Sequence, residues 1–196
     1  MSTVFKDGIE FILPGIQKAY PRMWAEGFLS TGMVFFTNLE IFRAEEDSER
    51  GDSLEGTSVT IRQGVRCTAN YLNPIFVWCG TMENEPETIL ATWRDRDTVI
   101  QITDPLAFTQ RVRDAAVAHE ARILSLQVGP VTYDKDKGSH RTYHWAEGLF
   151  QKNHQFNGQK EFRFALVGDP NLEGTEHIVL SLEDCTDIAR ISGLTG

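Results

Sequence analysis

The sequence predicts an α+β fold, in which a curved, mostly antiparallel or mixed sheet of about seven strands packs against two or three helices. The chain has 196 residues, of which 41% are hydrophobic and 24% are charged, as is typical of a globular protein. Its β-rich runs are short and do not alternate regularly with helical segments, so a doubly wound parallel sheet is not expected. No repeat or linker divides the sequence, and residues 1–196 are therefore expected to form a single globular domain.

The strand predictions rest on short runs of β-branched and aromatic residues that end at turn residues. A run that alternates with polar residues predicts a half-buried strand, whereas an apolar run predicts a strand covered on both faces. The segment after residue 122 is either one strand broken by Gly129-Pro130 or two strands. In chain order the predicted strands are residues 33–37, 58–62, 74–80, 98–103, 122–128 with 131–133, 161–167 and 177–182.

Local signals also predict helices. Residues 17–29 are expected to form a short helix that Pro21 interrupts and that a Ser-Thr-Gly turn ends. Asp104-Pro105 supplies an N-cap followed by a residue suited to the first helical position. Apolar residues then recur at helical spacing, so a longer helix is expected to extend as far as His119.

The charge of the chain limits what it can bind. Nineteen Lys and Arg against 28 Asp and Glu give a formal net charge of −9. Direct nucleic-acid binding is not expected, because it needs clustered basic residues. The three cysteines are scattered, which fits free thiols in a reducing compartment. With no apolar run long enough to span a membrane and no signal peptide at the start, a cytoplasmic protein is expected.

More than half of the net negative charge is concentrated between residues 40 and 55. This stretch holds seven acidic residues against Arg43 and Arg50. Such a run is either a solvated loop or an acidic patch that steers a partner protein with a basic surface. The partner-binding residues suggested by the second interpretation are Glu45, Glu46, Asp47, Glu49, Asp52 and Glu55.

Familiar catalytic and metal-binding motifs do not occur in the sequence. It has no phosphate-binding glycine loop, no C-x-x-C pair and no G-x-S-x-G elbow. His140, His144 and His154 are close in sequence, but the residues between the first two form helices poorly and no H-E-x-x-H motif is present. Cys79 lies in an apolar strand, where a thiol is usually inert. Neither a metal nor a cofactor is therefore expected.

One short pattern, Gln159-Lys160-Glu161, points to an enzyme instead. ADP-ribosyltransferases carry a Q-x-E or E-x-E pattern on a sheet edge, where the second acid holds a ribose hydroxyl of NAD while the nicotinamide bond breaks. Chance gives about two such patterns in a chain of this composition. In this alternative Arg43 or Arg163 contacts a phosphate, and Ser58 or Thr60 supplies a hydroxyl. The simpler interpretation is a buried or half-buried salt link between Glu161 or Arg163 and the loop.

Two blocks of sequence occur together in a recognisable order. Residues 42–56 contain the pattern FR..E....GD..EG, and Phe150-Gln151-Lys152 precedes the run KEFRF at residues 160–164. Together they resemble an uncharacterised family encoded by phages, prophages and other bacterial mobile elements. The resemblance covers roughly 40 of the 196 residues and implies no catalytic role. It suggests that Arg43, Glu55 and Arg163 form one charged cluster across the sheet.

The resemblance also implies a role in phage–host conflict, where small acidic proteins, anti-CRISPR proteins among them, often inhibit host defence complexes. The expected function is therefore a non-catalytic protein of the bacterial host cytoplasm that binds and inhibits a host protein complex through its acidic surface. The alternative is a mono-ADP-ribosyltransferase-like enzyme that uses NAD to modify a host target. Its site residues are Arg43, Gln159, Glu161 and Arg163.

Overall fold

The structure contains one large sheet and two small ones, which confirms the α+β prediction. A computed structural model describes residues 2–6, 9–44, 56–62, 65–119, 122–135 and 145–192. The strands are β1 (Ser2–Lys6), β2 (Ile9–Leu13), β3 (Ile16–Tyr20), β4 (Met33–Asn38), β5 (Ser58–Arg62), β6 (Val65–Ala69), β7 (Ile75–Thr81), β8 (Thr98–Ile102), β9 (Ile123–Pro130), β10 (Glu161–Gly168), β11 (His177–Ser181) and β12 (Ala189–Ser192). The helices are α1 (Arg22–Thr31), α2 (Leu39–Ala44), α3 (Pro86–Thr92) and α4 (Pro105–Ala118), with short 3₁₀ helices at Trp145–Phe150, His154–Gln159 and Pro170–Leu172.

Eight of these strands form the large, mostly antiparallel sheet. Its order is β11-β4-β7-β3-β8-β12, and β10 pairs with both β7 and β9. The pairs β1–β2 and β5–β6 form separate antiparallel ladders. Within the described ranges, no helix is long and apolar enough to cross a membrane.

The chain divides into two compact units, each of which combines segments that are distant in sequence. The first unit consists of Met1–Val34, Cys79–His119 and Val179–Gly196, and the second consists of Phe35–Trp78 and Glu120–Ile178. Each unit has buried hydrophobic residues of its own. The expectation of a single domain stays a prediction.

In the first unit, helix α1 packs against a three-stranded part of the sheet. β3 pairs with β8 along its whole length, and β8 pairs with β12. Helix α1 contacts all three strands. Its Phe28 ring lies 6.2 Å from the ring of Phe108 on α4, and both side chains are buried. The core of this unit is therefore shared between the sheet and two helices.

Helix α4 begins where the sequence predicts and ends one residue earlier. The Asp104 side chain accepts hydrogen bonds from the backbone N–H groups of Leu106 and Ala107, at 3.1 and 3.0 Å. Pro105 occupies the first turn, where its missing N–H leaves no hydrogen bond unmade. The helical prediction for this segment is confirmed.

The prediction of a helix over residues 17–29 is wrong for its first part. Residues 17–20 belong to β3, and α1 begins only at Arg22. Pro21 explains the boundary, because proline disfavours helical geometry in the residue that precedes it. The chain therefore stays extended up to Tyr20, where it pairs with Thr98 of β8.

In the second unit, β9 and β10 form a long antiparallel ladder. Its register runs from Phe162 opposite Pro130 to Val167 opposite Ser125, and it shifts by one residue before Gly168. The predicted strand at 122–128 is therefore a single strand, Ile123–Pro130, which continues through Gly129-Pro130. Beyond it, Thr132 forms an isolated bridge with Gln151 in place of a second strand.

The 3₁₀ helix Trp145–Phe150 can lie against β5 only because Gly148 has no side chain. A Cβ atom on Gly148 would lie 2.6 Å from the backbone nitrogen of Ser58 and 2.9 Å from the carbonyl oxygen of Gly56. Both obstacles are backbone atoms, which cannot move aside as a flexible side chain would. The close approach therefore fixes the identity of this residue.

We expect Gly148→Ala to lower the free energy of unfolding by about 1–3 kcal/mol, because the added methyl group forces the two backbone segments apart. The matched control is Gly158→Ala in the other long 3₁₀ helix, where a Cβ atom would meet nothing within 4 Å. Urea denaturation of both variants makes the comparison. Equal stability of the two variants would contradict the packing described here.

Candidate functional site

Strand β10 carries two charged residues in an otherwise apolar sequence. All eight of its residues are buried. Because side chains alternate along a strand, Glu161 and Arg163 point to the same face. Burial of an unpaired charge is costly, so both residues need hydrogen-bonding or charged partners nearby.

Glu161 lies between two cations. Its Oε1 atom is 2.5 Å from Nε of Arg163, and its Oε2 atom is 2.8 Å from Nζ of Lys152. The exposed fractions of the three side chains are 6% for Glu161, 1% for Arg163 and 7% for Lys152. Each carboxylate oxygen therefore accepts a short, charge-assisted hydrogen bond away from water.

The same two cations hold the preceding 3₁₀ helices. Arg163 donates from Nη1 to the carbonyl oxygen of Leu149 at 2.6 Å. Lys152 donates to Oε1 of Gln159 at 2.9 Å, and its Nζ lies 5.4 Å from the centre of the Phe156 ring. These contacts attach residues 149–159 to the start of β10. We call Lys152, Glu161 and Arg163 the ionic cluster.

Tyr133 completes one side of the ionic cluster. Its hydroxyl oxygen accepts a hydrogen bond from the backbone N–H of Glu161 at 2.7 Å. Burial is the main reason why the pKa of Tyr133 is raised to about 12. The phenol is therefore neutral at physiological pH, and it acts here as a hydrogen-bonding group.

The segment after β9 runs beside the segment that carries Lys152. The backbone N–H of Lys152 donates to the carbonyl of Thr132 at 2.9 Å, and that of Lys135 donates to the carbonyl of Lys152 at 3.2 Å. Gln151 accepts from the backbone N–H of Val59 on β5 at 3.4 Å. Backbone bonds thus fix the position of Lys152 independently of its charge.

The structure brings together three of the four residues suggested for an NAD site. Gln159, Glu161 and Arg163 all belong to the contacts of the ionic cluster. Arg43, the fourth, lies in the last turn of α2. Its Nη2 atom lies 3.2 Å from the position that a Cβ atom on Gly56 would occupy, so Arg43 lies beside Gly56. Of the two suggested hydroxyl residues, Ser58 is buried in β5.

Several sequence predictions fall outside the described residues. Thr60 lies on β5, but its side chain is not described. His140 and His144 are also outside, whereas His154 is exposed at the start of a 3₁₀ helix. In the ranges that the structure covers, no three His, Cys, Asp or Glu side chains are grouped as metal ligands would be. The predicted partner-binding residues also lie outside; they are Glu45, Glu46, Asp47, Glu49, Asp52 and Glu55.

The geometry of Glu161 favours a structural role over a catalytic one. To hold a ribose hydroxyl, the carboxylate would have to give up its bond to Lys152 or to Arg163. Losing one partner of a buried ion pair costs about 3–5 kcal/mol. The arrangement is the buried salt link of the simpler interpretation of the sequence.

Sequence reasoning missed the role of Lys152 and of Tyr133. The two-residue spacing of Glu161 and Arg163 indicates a shared face, but the second cation reaches Glu161 from nine residues upstream. Nothing in the sequence between Lys152 and Glu161 indicates that the chain folds back over this distance. The available signal is general. Both oxygens of a buried carboxylate need hydrogen-bond donors, so a second donor for Glu161 is expected from elsewhere in the chain.

No protein-family model, curated protein or solved structure matches this chain. The α+β class and the ionic cluster are therefore the features on which a functional proposal can be built.

We expect Glu161→Gln to lower the free energy of unfolding by about 3–5 kcal/mol, because it leaves two buried cations without their carboxylate. Urea denaturation monitored by circular dichroism measures the change. The matched control is Glu26→Gln, since Glu26 pairs with Arg22 at 2.9 Å with a side chain that is 56% exposed. Exposed pairs contribute about 0–1 kcal/mol. A loss in Glu161→Gln as small as in the control would show that the ionic cluster is not a stabilising element.

Proposed function

We propose that this chain is a non-catalytic binding protein that occupies a basic surface on a partner protein. In this proposal it is an accessory protein of a phage or mobile element, and the partner is a complex of the bacterial host, such as a nucleic-acid-binding defence complex that it inhibits. The observation that carries the proposal is that both carboxylate oxygens of Glu161 are already bonded to cations of its own chain. The best candidate for a catalytic acid is buried and bound on both oxygens.

The distribution of charge supports binding through the segment between α2 and β5. The chain carries a net charge of −9, and residues 40–55 hold seven of its 28 acidic residues. Concentrated charge of one sign raises the rate of association with a partner of the opposite sign and disfavours partners of the same sign. A basic groove that normally holds nucleic acid has the complementary charge.

The described ends of this segment lie next to each other. A Cβ atom on Gly56 would overlap the side chain of Leu39 in α2 and would lie 3.2 Å from Nη2 of Arg43. The φ angle of Gly56 is +69°, and the other two described glycines with positive φ, Gly32 and Gly174, have values of +62° and +81°. Gly56, the first described residue after this segment, thus lies beside α2, the helix from which the segment departs.

We expect the variant with Glu45, Glu46, Asp47 and Glu49 all changed to Lys to lose its partner, because the reversal turns attraction into repulsion. The measurement is affinity capture from a bacterial lysate with the purified protein as bait, quantified protein by protein. Proteins held by the wild type should be released as salt rises, since screening weakens exposed charge pairs.

The matched control reverses four acidic residues elsewhere, Glu85, Glu87, Glu173 and Glu176, which are all exposed. Both variants have the same net charge, so only the position of the reversal differs. Equal loss of capture in both would show that total charge, and not residues 45–49, is responsible. Unchanged capture by both variants would refute the proposal that the partner binds through these acidic residues.

The NAD-dependent alternative has a separate readout. The binding proposal expects a flat thermal-unfolding titration with NAD. A ligand at 100 times its dissociation constant adds about 2.7 kcal/mol to stability, so binding would be visible. A saturable rise in the unfolding temperature would favour the enzyme and overturn the proposal.

A further inference from the structure

Asn157 and Gly158 form the only Asn-Gly pair in the sequence. They lie in the second half of the 3₁₀ helix His154–Gln159, and both are exposed. Asparagine is a thermolabile residue, because the backbone nitrogen of the residue that follows can attack its side chain. Glycine hinders this attack least, since it has no Cβ atom and the most permissive backbone. The pair is therefore a candidate for a chemical modification that needs no enzyme.

The structure leaves the side chain of Asn157 accessible to this reaction. No other described residue forms a hydrogen bond with its side-chain amide. A Cβ atom on Gly158 would meet nothing within 4 Å, so the space beside the attacking residue is open. Asn38 shows the opposite case. Its buried side chain donates to the carbonyl oxygen of Thr175 at 2.8 Å and accepts from the backbone N–H of Glu40 at 3.0 Å.

Helical backbone geometry keeps the Asn157 side chain and the Gly158 nitrogen apart, so this turn has to open before they react. Two features of the turn favour opening. Hydrogen bonds in 3₁₀ helices have poorer geometry than those in α-helices, and the last one here joins the N–H of Lys160 to the carbonyl oxygen of Asn157 at 3.2 Å. Lys160 also has a φ of +43°, a strained conformation for a residue other than glycine. Opening releases that strain.

We propose that Asn157 is a site of spontaneous deamidation. The backbone nitrogen of Gly158 gives up its proton and bonds to Cγ of Asn157, while the bond from Cγ to Nδ2 breaks and ammonia leaves. The product is a five-membered succinimide. Water then opens this ring at either carbonyl carbon. Opening at Cγ gives aspartate, and opening at the main-chain carbonyl gives isoaspartate, in which the main chain runs through Cβ and Cγ. No oxidant or reductant takes part.

The isoaspartyl product alters the segment that the ionic cluster holds. It adds one carbon atom to the main chain between Phe156 and Gln159, and both of these side chains contact Nζ of Lys152. Phe156 is buried and cannot move freely to absorb the added atom. We therefore expect isoaspartate to weaken the attachment of this 3₁₀ helix to Lys152. Aspartate at the same exposed position adds charge and leaves the main chain unchanged.

Ageing of the full chain in ¹⁸O-labelled water tests the proposal. Opening of the succinimide places one solvent oxygen in the new carboxylate, so peptide mass spectrometry in ordinary water measures the label at each asparagine. We expect label at Asn157, and faster labelling at higher pH because the attacking nitrogen has to be deprotonated. Asn171 is the internal control, since it is exposed in the 3₁₀ helix Pro170–Leu172 and is followed by leucine. It should stay unlabelled.

Gly158→Ala is the matched variant, because its methyl group hinders the attack and meets no neighbour in the fold. We expect labelling to be at least roughly tenfold slower, which corresponds to about 1.4 kcal/mol of activation free energy. The proposal is overturned if this variant, folded by circular dichroism, is labelled as fast as the wild type. It is equally overturned if Asn171 is labelled as fast as Asn157. A folded wild type that gains no label at Asn157, over several half-lives of the reaction in the guanidinium-unfolded chain, also overturns it.

The effect on the ionic cluster has its own measurement. Anion exchange isolates the deamidated chains, since they carry one more negative charge than the unmodified protein. We expect these chains to unfold at a lower urea concentration than the Asn157→Asp variant, which has the same added charge on an unaltered main chain. Equal unfolding midpoints would overturn the inference that isoaspartate disturbs the contacts with Lys152.

Discussion

The position of Glu161 between Lys152 and Arg163 is the interaction on which the second unit depends. Three ionised side chains lie almost without solvent exposure, at 2.5 and 2.8 Å from each other. Such a group is tolerated only when every charge is paired and hydrogen-bonded. The same side chains attach residues 149–159 to β10, in addition to the backbone bonds of that segment, because Arg163 binds the carbonyl of Leu149 and Lys152 binds Gln159.

This use of the cluster bears directly on function. Electrostatic catalysis requires a hydrogen-bond donor, dipole or charge that is aimed at the charge developing on the substrate. Glu161 faces its own chain. The net charge of −9 is concentrated towards residues 40–55, and the proposed function assigns recognition to this charge.

The sequence predicts well where a local signal is sufficient. Asp104-Pro105 begins α4, and the apolar run before Gly80 forms the central strand β7. Prediction from the sequence fails where the structure of a segment depends on a partner that is distant in the sequence. Residues 17–20 have no local feature that separates a short helix from a strand, and pairing with β8 decides the outcome. Likewise, the acidic and basic residues of β10 are visible in the sequence, but Lys152 reaches Glu161 only because the 3₁₀ helix His154–Gln159 between them folds the chain back.

A double-mutant cycle between Lys152 and Glu161 tests the central claim most directly. Lys152→Met, Glu161→Gln and the combined variant are compared with the wild type by urea denaturation, and the interaction free energy is the departure from additivity. If the two side chains form a buried, mutually dependent pair, Lys152→Met costs much less in the Glu161→Gln background, with a coupling of about 1–3 kcal/mol. Additive effects would contradict the account, because the cluster would then not be what holds this part of the chain.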